Sequence, residues 1–212
     1  MELHPQKLSG HWTDGYALDL HTISSTPIRE LKTVKILVDG IETEREHEEI
    51  TGWDTKYTEI GQHLYKLKYW RDLSRFLTIA DEAAAFLNSK TEWEIDLIIP
   101  IPPSDMAREF QFVEELAKEI GAIRNLTVDS TTLTKLKSTP ELKSIEDPDK
   151  RREILKDAFG IVSNSLNGKN VLLFDDLYRS GETLNAVCDI IKNKGNAKNV
   201  YVVTITKTRS NR

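Results

Sequence analysis

The chain has 212 residues, which suffices for one domain with a sizeable core, or for a core that carries a smaller appendage. Hydrophobic residues make up 39% and charged residues 30%, and the net charge of −5 does not indicate a broadly nucleic-acid-binding surface. Cys188 is the only cysteine, which excludes an internal disulfide and a cysteine-based zinc site. No apolar run is long enough to span a bilayer and the N-terminus lacks a signal-peptide pattern, so we expect a cytoplasmic protein.

The N-terminal quarter of the chain has the composition of β-strands. Residues 15–22 and 33–40 combine β-branched or aromatic residues with partial alternation, and "SSTP" at residues 24–27 is typical of a turn. We therefore predict a small antiparallel pair from these two segments. The division that follows is a β-rich N-terminal hood or appendage over residues 1–56 and an α/β core over residues 57–212.

Helix and strand patterns alternate through the core. Ile60, Leu64 and Leu67 share one face of a predicted helix, and a second helical pattern follows it. The apolar run of residues 95–101 has the character of a parallel strand buried on both faces, and it leads into a further helix and a weaker strand over residues 122–128. This alternation predicts a mostly parallel, twisted sheet flanked by helices.

A polar, charged segment interrupts the alternation. Two prolines break residues 136–152, and we predict a long flexible loop over residues 134–152. Loops of this length are uncommon in compact domains and are often functional. Two more strands follow, over residues 170–176 and 200–207, with an amphipathic helix between them.

The string "VLLFDDLYRSGETLNAV", residues 171–187, contains the strongest chemical signal in the sequence. An apolar strand ends in Asp175 and Asp176, and a short turn with Gly181 leads into a helix. Free amides at a helix N-terminus bind anions, and Ser180 and Thr183 add hydroxyl donors. The two carboxylates would repel a phosphate, but they suit sugar hydroxyls or a hydrated Mg²⁺. The pattern therefore indicates a sugar phosphate.

This string resembles the phosphoribosyl-pyrophosphate (PRPP) motif of type I phosphoribosyltransferases: an apolar strand, two acids, a few residues, then Ser or Thr, Gly, any residue and Thr. The resemblance implies a phosphoribosyltransferase-like α/β fold, with the acids on the ribose hydroxyls and the turn on the 5′-phosphate. It also implies Mg²⁺ as cofactor, held at Asp175 and Asp176 directly or through PRPP or water. The PRPP-binding residues would be Asp175, Asp176, Leu177, Tyr178, Arg179, Ser180, Gly181, Glu182 and Thr183. The plainer alternative is a strand that ends in two acids and precedes a serine-capped helix.

Three further segments resemble the ComF-like branch of that family, without its N-terminal zinc ribbon. "LYKLKYWRD", residues 64–72, is similar to its N-terminal helix. The segment after the strand at residues 95–101 is similar to its pyrophosphate-side loop, which would comprise Pro102, Pro103, Ser104 and Arg108. The polar segment is similar to its flexible loop, whose cations would be Lys137, Lys143, Arg151 and Arg152. Each of these cations has the alternative of a solvated surface charge.

The resemblance implies a phosphoribosyltransferase that uses Mg-PRPP, releases pyrophosphate and transfers the phosphoribosyl group to a nucleobase-like acceptor. One alternative is a non-catalytic PRPP- or nucleotide-binding regulatory protein, or a ComF-like protein associated with DNA uptake. Another is an unrelated α/β phosphosugar-binding protein. The expected partners are PRPP and a small-molecule acceptor, with no membrane and no nucleic acid indicated. A monomer and a homodimer both remain open.

Overall fold

A six-stranded sheet forms the centre of the molecule in a computed structural model that describes residues 1–38, 41–103, 110–137, 145 and 147–209. Its six strands are β1 (Gln6–Lys7), β2 (Asp14–Leu20), β5 (Leu97–Pro100), β6 (Thr127–Val128), β9 (Asn170–Tyr178) and β10 (Asn199–Lys207). They lie in the order β1-β2-β10-β9-β5-β6. All neighbours are parallel except β1, which is antiparallel to β2. The predicted α/β fold class is confirmed.

Helices cover both faces of this sheet. Leu172 and Phe174 of β9 point into a core shared with three helices, and Val171 and Leu173 point into the opposite core. The first core contains α1 (Glu59–Trp70), α2 (Phe76–Ser89) and α3 (Phe112–Arg124); the second contains α5 (Glu182–Asn193). Because both faces of β9 are buried here, residues 171–174 form a continuous apolar run without alternation. No helix in the described part of the chain is long and apolar enough to cross a membrane.

The N-terminal strands pair differently from the prediction. Residues 24–27, predicted as a turn, lie inside the long strand β3 (Thr22–Val38), which forms a separate two-stranded ribbon with β4 (Ile41–Tyr57). Residues 15–22, which were predicted to pair with residues 33–40, lie mostly in β2, and β2 is placed between β1 and β10 in the central sheet. The predicted antiparallel pair is therefore wrong, because alternation within a strand does not identify its partner. The division of the chain at residue 56 stays a prediction, although β2 belongs to the main sheet.

The predicted flexible loop contains regular structure at both ends. β7 (Leu133–Lys135) pairs with β8 (Phe159–Ile161), and α4 (Pro148–Leu155) begins before the predicted loop ends. Residues 138–144 and 146 lie outside the described residues. The described parts of this segment therefore belong to a small second sheet and to a helix.

Candidate functional site

The candidate site lies at the point where the strand connections change direction. β5 leads outward to β6, whereas its other neighbour, β9, leads through α5 to β10 on the opposite side. In open parallel sheets, ligands bind beyond the carboxyl ends of the strands at such a switch point. β5 ends at Pro100, which lies opposite Phe174, while β9 continues to Tyr178 along β10. Among the described residues, the β5 side of residues 175–178 therefore has no paired strand, and we call this open strand edge the crevice.

Asp175 and Asp176 occupy the part of β9 that borders this crevice. The sequence predicted that the strand ends at Asp176, but its pairing with β10 extends to Tyr178 and shortens the turn to residues 179–181. The backbone N–H of Asp176 donates to Asp175 Oδ1 at 2.8 Å. Burial raises the pKa of the Asp175 carboxyl well above its usual range, and the adjacent Asp176 raises it further. The structure thus gives the two neighbouring acids different environments.

Lys68 forms an ion pair with Asp176 that the sequence did not predict. Its Nζ contacts Asp176 Oδ2 from the last turn of α1, and the side chains are 25% and 13% exposed. Burial alone lowers the pKa of Lys68, but the charge and hydrogen bond of Asp176 outweigh it, so the pKa is raised. The only sequence signal for Lys68 is the family resemblance of residues 64–72, and that resemblance assigns no role to the lysine.

His21 supports the same strand end from the other side. Its Nδ1 lies 3.1 Å from Thr206 Oγ1, and that hydroxyl lies 3.5 Å from the carbonyl oxygen of Asp176. Burial lowers the pKa of His21 to about 4, although the charge of Asp176 acts in the opposite direction. The sequence contained no motif that pointed to this histidine.

The turn after β9 presents an open helix N-terminus. Gly181 is the N-cap of α5 with φ 80°, a left-handed conformation that favours glycine, and no side chain caps the helix. The first intrahelical bond runs from Asn185 N to Gly181 O, so the amides before Asn185 have no partner within the helix. Ser180 and Thr183 are half-buried, and neither hydroxyl bonds to another described residue. The alternative of a serine-capped helix is therefore wrong, and this geometry suits an anion.

The remaining residues of the motif are divided between the core and the surface. Tyr178 is buried, donates its hydroxyl hydrogen to Ser9 O at 3.3 Å and packs edge-on against Trp12. Leu177 and Glu182 are half-buried, and Arg179 is exposed. The side chain of Tyr178 therefore serves the core.

The pyrophosphate-side residues are described only in part. Ile101 N donates to Phe174 O at 2.9 Å, which carries the chain past the end of β5 to the half-buried Pro102 and Pro103. These prolines therefore border the crevice on the β5 side. Ser104 and Arg108 lie outside the described residues, so their predicted role stays a prediction.

The predicted loop cations differ in their surroundings. Lys137 is exposed, whereas Arg151 is buried and donates its Nε hydrogen to Ile145 O at 2.6 Å. Arg152 belongs to α4, and Lys143 lies outside the described residues. Arg151 therefore has a structural contact of its own in this conformation.

The donor set fits a magnesium ion that arrives with a phosphorylated substrate. Mg²⁺ is usually held by one or two carboxylates together with substrate phosphates, and Asp175 and Asp176 supply two carboxyl groups. Within the described ranges, no cluster of three or more metal-binding side chains exists. One oxygen of Asp176 also faces the ammonium of Lys68. The site can therefore contribute to a shared Mg²⁺ site, with the substrate providing further ligands.

Sequence comparison shows the family. The family model for the phosphoribosyl transferase domain matches residues 70–212, which is more than half of the chain. The chain therefore belongs to the phosphoribosyl transferase domain family. The matched region includes the diacid strand end and the turn after it, whereas His21 and Lys68 precede it. No curated protein matches this sequence.

Several solved structures are similar to the chain at low identity. A hypoxanthine phosphoribosyltransferase from Staphylococcus aureus is 19% identical in its tetragonal form, with a TM-score of 0.39 and 65% of each chain covered. Its orthorhombic form is 18% identical, with a TM-score of 0.37 and 62% of each chain covered. A hypothetical protein from Neisseria gonorrhoeae with bound ppGpp is 16% identical, with a TM-score of 0.39 and coverage of 63% of this chain and 68% of its own. The chain thus spans less than two thirds of the length of the Staphylococcus aureus enzyme.

Proposed function

We propose that this protein transfers the phosphoribosyl group of Mg-PRPP to a nucleobase-like acceptor with release of pyrophosphate. One observation carries the proposal: a pair of carboxyl groups and an uncapped helix N-terminus stand at the two ends of a single short turn. This turn lies at the switch point of the sheet, in a chain of the phosphoribosyl transferase domain family. A ribose 5-phosphate unit carries a diol at one end and an anion at the other, which matches this arrangement.

The chain would act mainly by holding the ribose. Asp175 and Asp176 bind its hydroxyls, and the amides of the turn and the first turn of α5 bind its 5′-phosphate. The bond from the anomeric carbon to the pyrophosphate oxygen breaks with an oxocarbenium-like transition state, and a bond to an acceptor nitrogen forms as that nitrogen loses its proton. Bound Mg²⁺ would neutralise charge on the departing pyrophosphate. Fixing both ends of the ribose aligns the anomeric carbon for attack.

Pyrophosphate release tests this proposal directly. Purified protein is incubated with Mg²⁺, PRPP and a panel of purine and pyrimidine bases, and pyrophosphate is measured with and without each base. We expect base-dependent release for at least one acceptor. The double variant Asp175→Asn, Asp176→Asn should lose PRPP binding in calorimetry while it keeps its circular dichroism spectrum. Unchanged PRPP affinity in this variant would contradict the proposal.

A non-catalytic PRPP- or nucleotide-binding regulatory protein is the second candidate. It is supported by Arg151, a predicted loop cation, because this residue is buried and bonded to Ile145 O rather than free to close over pyrophosphate. PRPP binding without pyrophosphate release across the whole panel favours this candidate. Assignment to the ComF-like branch, the cytoplasmic location and the choice between monomer and homodimer stay predictions.

A further inference from the structure

Lys68 and Asp176 meet at the ribose end of the site although they are 108 residues apart in the chain. The ammonium group approaches from α1, which packs on the face of the sheet that contains Phe174. Both side chains are largely buried, with 25% and 13% of their surfaces exposed. A carboxylate at this depth is costly without a counter-charge, and Lys68 provides one.

The surroundings of the ammonium leave donor capacity for a ligand. An ammonium group has three N–H donors. Among the described residues, Asp176 is its only hydrogen-bond acceptor, and the ring of Phe112 lies 5.5 Å from Nζ. Asp175 and Tyr69 interact with it only electrostatically. At least one N–H can therefore turn toward an oxygen atom in the crevice.

A sugar hydroxyl both donates and accepts hydrogen bonds. An ionised carboxylate can only accept, so it satisfies the hydroxyl hydrogens and leaves the hydroxyl oxygens without a donor. An ammonium beside that carboxylate supplies the missing donor, and a charge-assisted hydrogen bond is stronger than a neutral one. A carboxylate–ammonium pair is therefore a better receptor for a vicinal diol than a carboxylate alone.

We propose that Lys68 and Asp176 bind the ribose diol together as an ion pair: Asp176 accepts from one hydroxyl, and Lys68 donates to a hydroxyl oxygen. Lys68 is thereby a specificity-determining residue as well as the positioning residue of Asp176. This inference rests on the proposed function, because it assumes that the crevice receives a ribose. The competing explanation is a structural tether, in which Lys68 only holds α1 against β9.

Three probes separate diol recognition from binding of the anion. Inorganic phosphate tests the turn alone, ribose 5-phosphate adds the diol, and 2-deoxyribose 5-phosphate removes one hydroxyl. Affinities are measured by calorimetry for wild type, Lys68→Met and Lys68→Arg. Lys66→Met is the matched control, since Lys66 lies on the same helix but its ammonium faces Trp70 at 5.9 Å from the ring centroid.

We expect wild type and Lys66→Met to prefer ribose 5-phosphate over its 2-deoxy analogue. Lys68→Met should lower the affinity for ribose 5-phosphate about 10- to 100-fold and reduce the preference over the 2-deoxy analogue. Its affinity for inorganic phosphate should stay unchanged. Lys68→Arg should recover part of the preference, because it restores a cationic donor. A tether would instead lower the affinities for both sugar phosphates equally and keep their ratio.

Each remaining outcome decides between the claims. If Lys68→Met keeps the wild-type ratio of affinities for ribose 5-phosphate and its 2-deoxy analogue, the role of Lys68 is overturned. The proposed function stays intact in that case. Failure of wild type to bind either ribose 5-phosphate or PRPP overturns the proposed function and the inference with it. If Lys68→Met does not fold, Lys68→Gln is measured instead, because its amide can still contact Asp176 but carries no charge. The inference predicts the same reduced ratio for it, and an unchanged ratio overturns it.

Discussion

His21 Nδ1 lies 3.1 Å from Thr206 Oγ1, and this contact joins the residue after β2 to the end of β10 beside the diacid strand. The ring of His21 also meets the ring of Tyr57 edge-on, with centroids 5.4 Å apart. This half-buried histidine loses part of its hydration, which disfavours its charged form. Protonation of His21 should therefore be unfavourable in the folded protein.

Stability should fall in mild acid because of His21. Burial lowers its pKa from the ordinary histidine value of 6.5 to about 4. The unfolded chain therefore binds a proton on this residue between pH 6.5 and pH 4 when the folded chain does not, and stability decreases as the pH falls through this window. The effect is at most about 3 kcal/mol. Between pH 7 and pH 4.5, urea unfolding should show a smaller loss of unfolding free energy for His21→Gln than for wild type. The exposed His47→Gln is the control, and an equal loss in all three proteins contradicts the prediction.

Gly181→Ala should damage the turn that is proposed to bind the 5′-phosphate, and it should do so by two effects. Alanine is strained at φ 80°, and its Cβ would stand 2.8 Å from the hydroxyl oxygen of Tyr178. Gly168→Ala separates these effects, because Gly168 has φ 70° and nothing within 4 Å of the added Cβ. We expect about 1 kcal/mol of lost stability from strain in Gly168→Ala and a larger loss in Gly181→Ala. Only Gly181→Ala should weaken binding of ribose 5-phosphate. Equal stability and equal affinity in the two variants would show that the contact with Tyr178 does not matter.

Asp129 should stabilise the turn that follows β6. Its carboxylate accepts hydrogen bonds from the backbone N–H groups of Thr131 and Thr132, both at 2.9 Å, and from both hydroxyls. Burial acts to raise its pKa, but these bonds lower it to about 2. We expect Asp129→Ala to cost about 1–3 kcal/mol in urea unfolding at pH 7. Asp81→Ala, at an exposed position of α2, should cost much less.

The carboxyl group of Asp129 should also make stability depend on pH, but over a lower pH range than His21 does. Because the folded pKa of Asp129 is depressed, its contribution to stability is fully present above the ordinary aspartate pKa of 3.8 and is lost as the pH falls toward 2. The stability difference between wild type and Asp129→Ala should therefore shrink between these pH values. A difference that stays constant down to pH 2 contradicts a role for the charged form.

Trp93 should be among the strongest single contributors to the core beside β10. Its ring stacks on Tyr201 with centroids 4.7 Å apart and planes 12° apart, and its Nε1 hydrogen is donated to Asp14 Oδ2 at 3.3 Å. The side chain is 7% exposed. We expect Trp93→Ala to lower the free energy of unfolding by about 3–5 kcal/mol. Trp53→Ala, whose side chain is 58% exposed on β4, should cost far less, and similar losses would contradict the prediction.

The α/β class could be predicted from local patterns of residues, and so could the position of the candidate site after β9. Apolar runs marked β5, β9 and β10, because strands buried on both faces carry their signal locally. Asp175, Asp176 and Gly181 could be predicted as site residues from one short string, because they follow one another at a single strand end and turn. Such signals depend only on short stretches of chain.

Which segments of the chain meet depends on how the helices and strands pack. A strand pattern does not specify the strand that pairs with it, so the sequence did not place β2 beside β10. The extension of β9 to Tyr178 likewise follows from its pairing with β10. The contacts of Asp176 with Lys68 and of His21 with Thr206 join residues 108 and 185 positions apart. The burial that sets the charge of these groups arises when helices and strands pack, and no local pattern of residues encodes it.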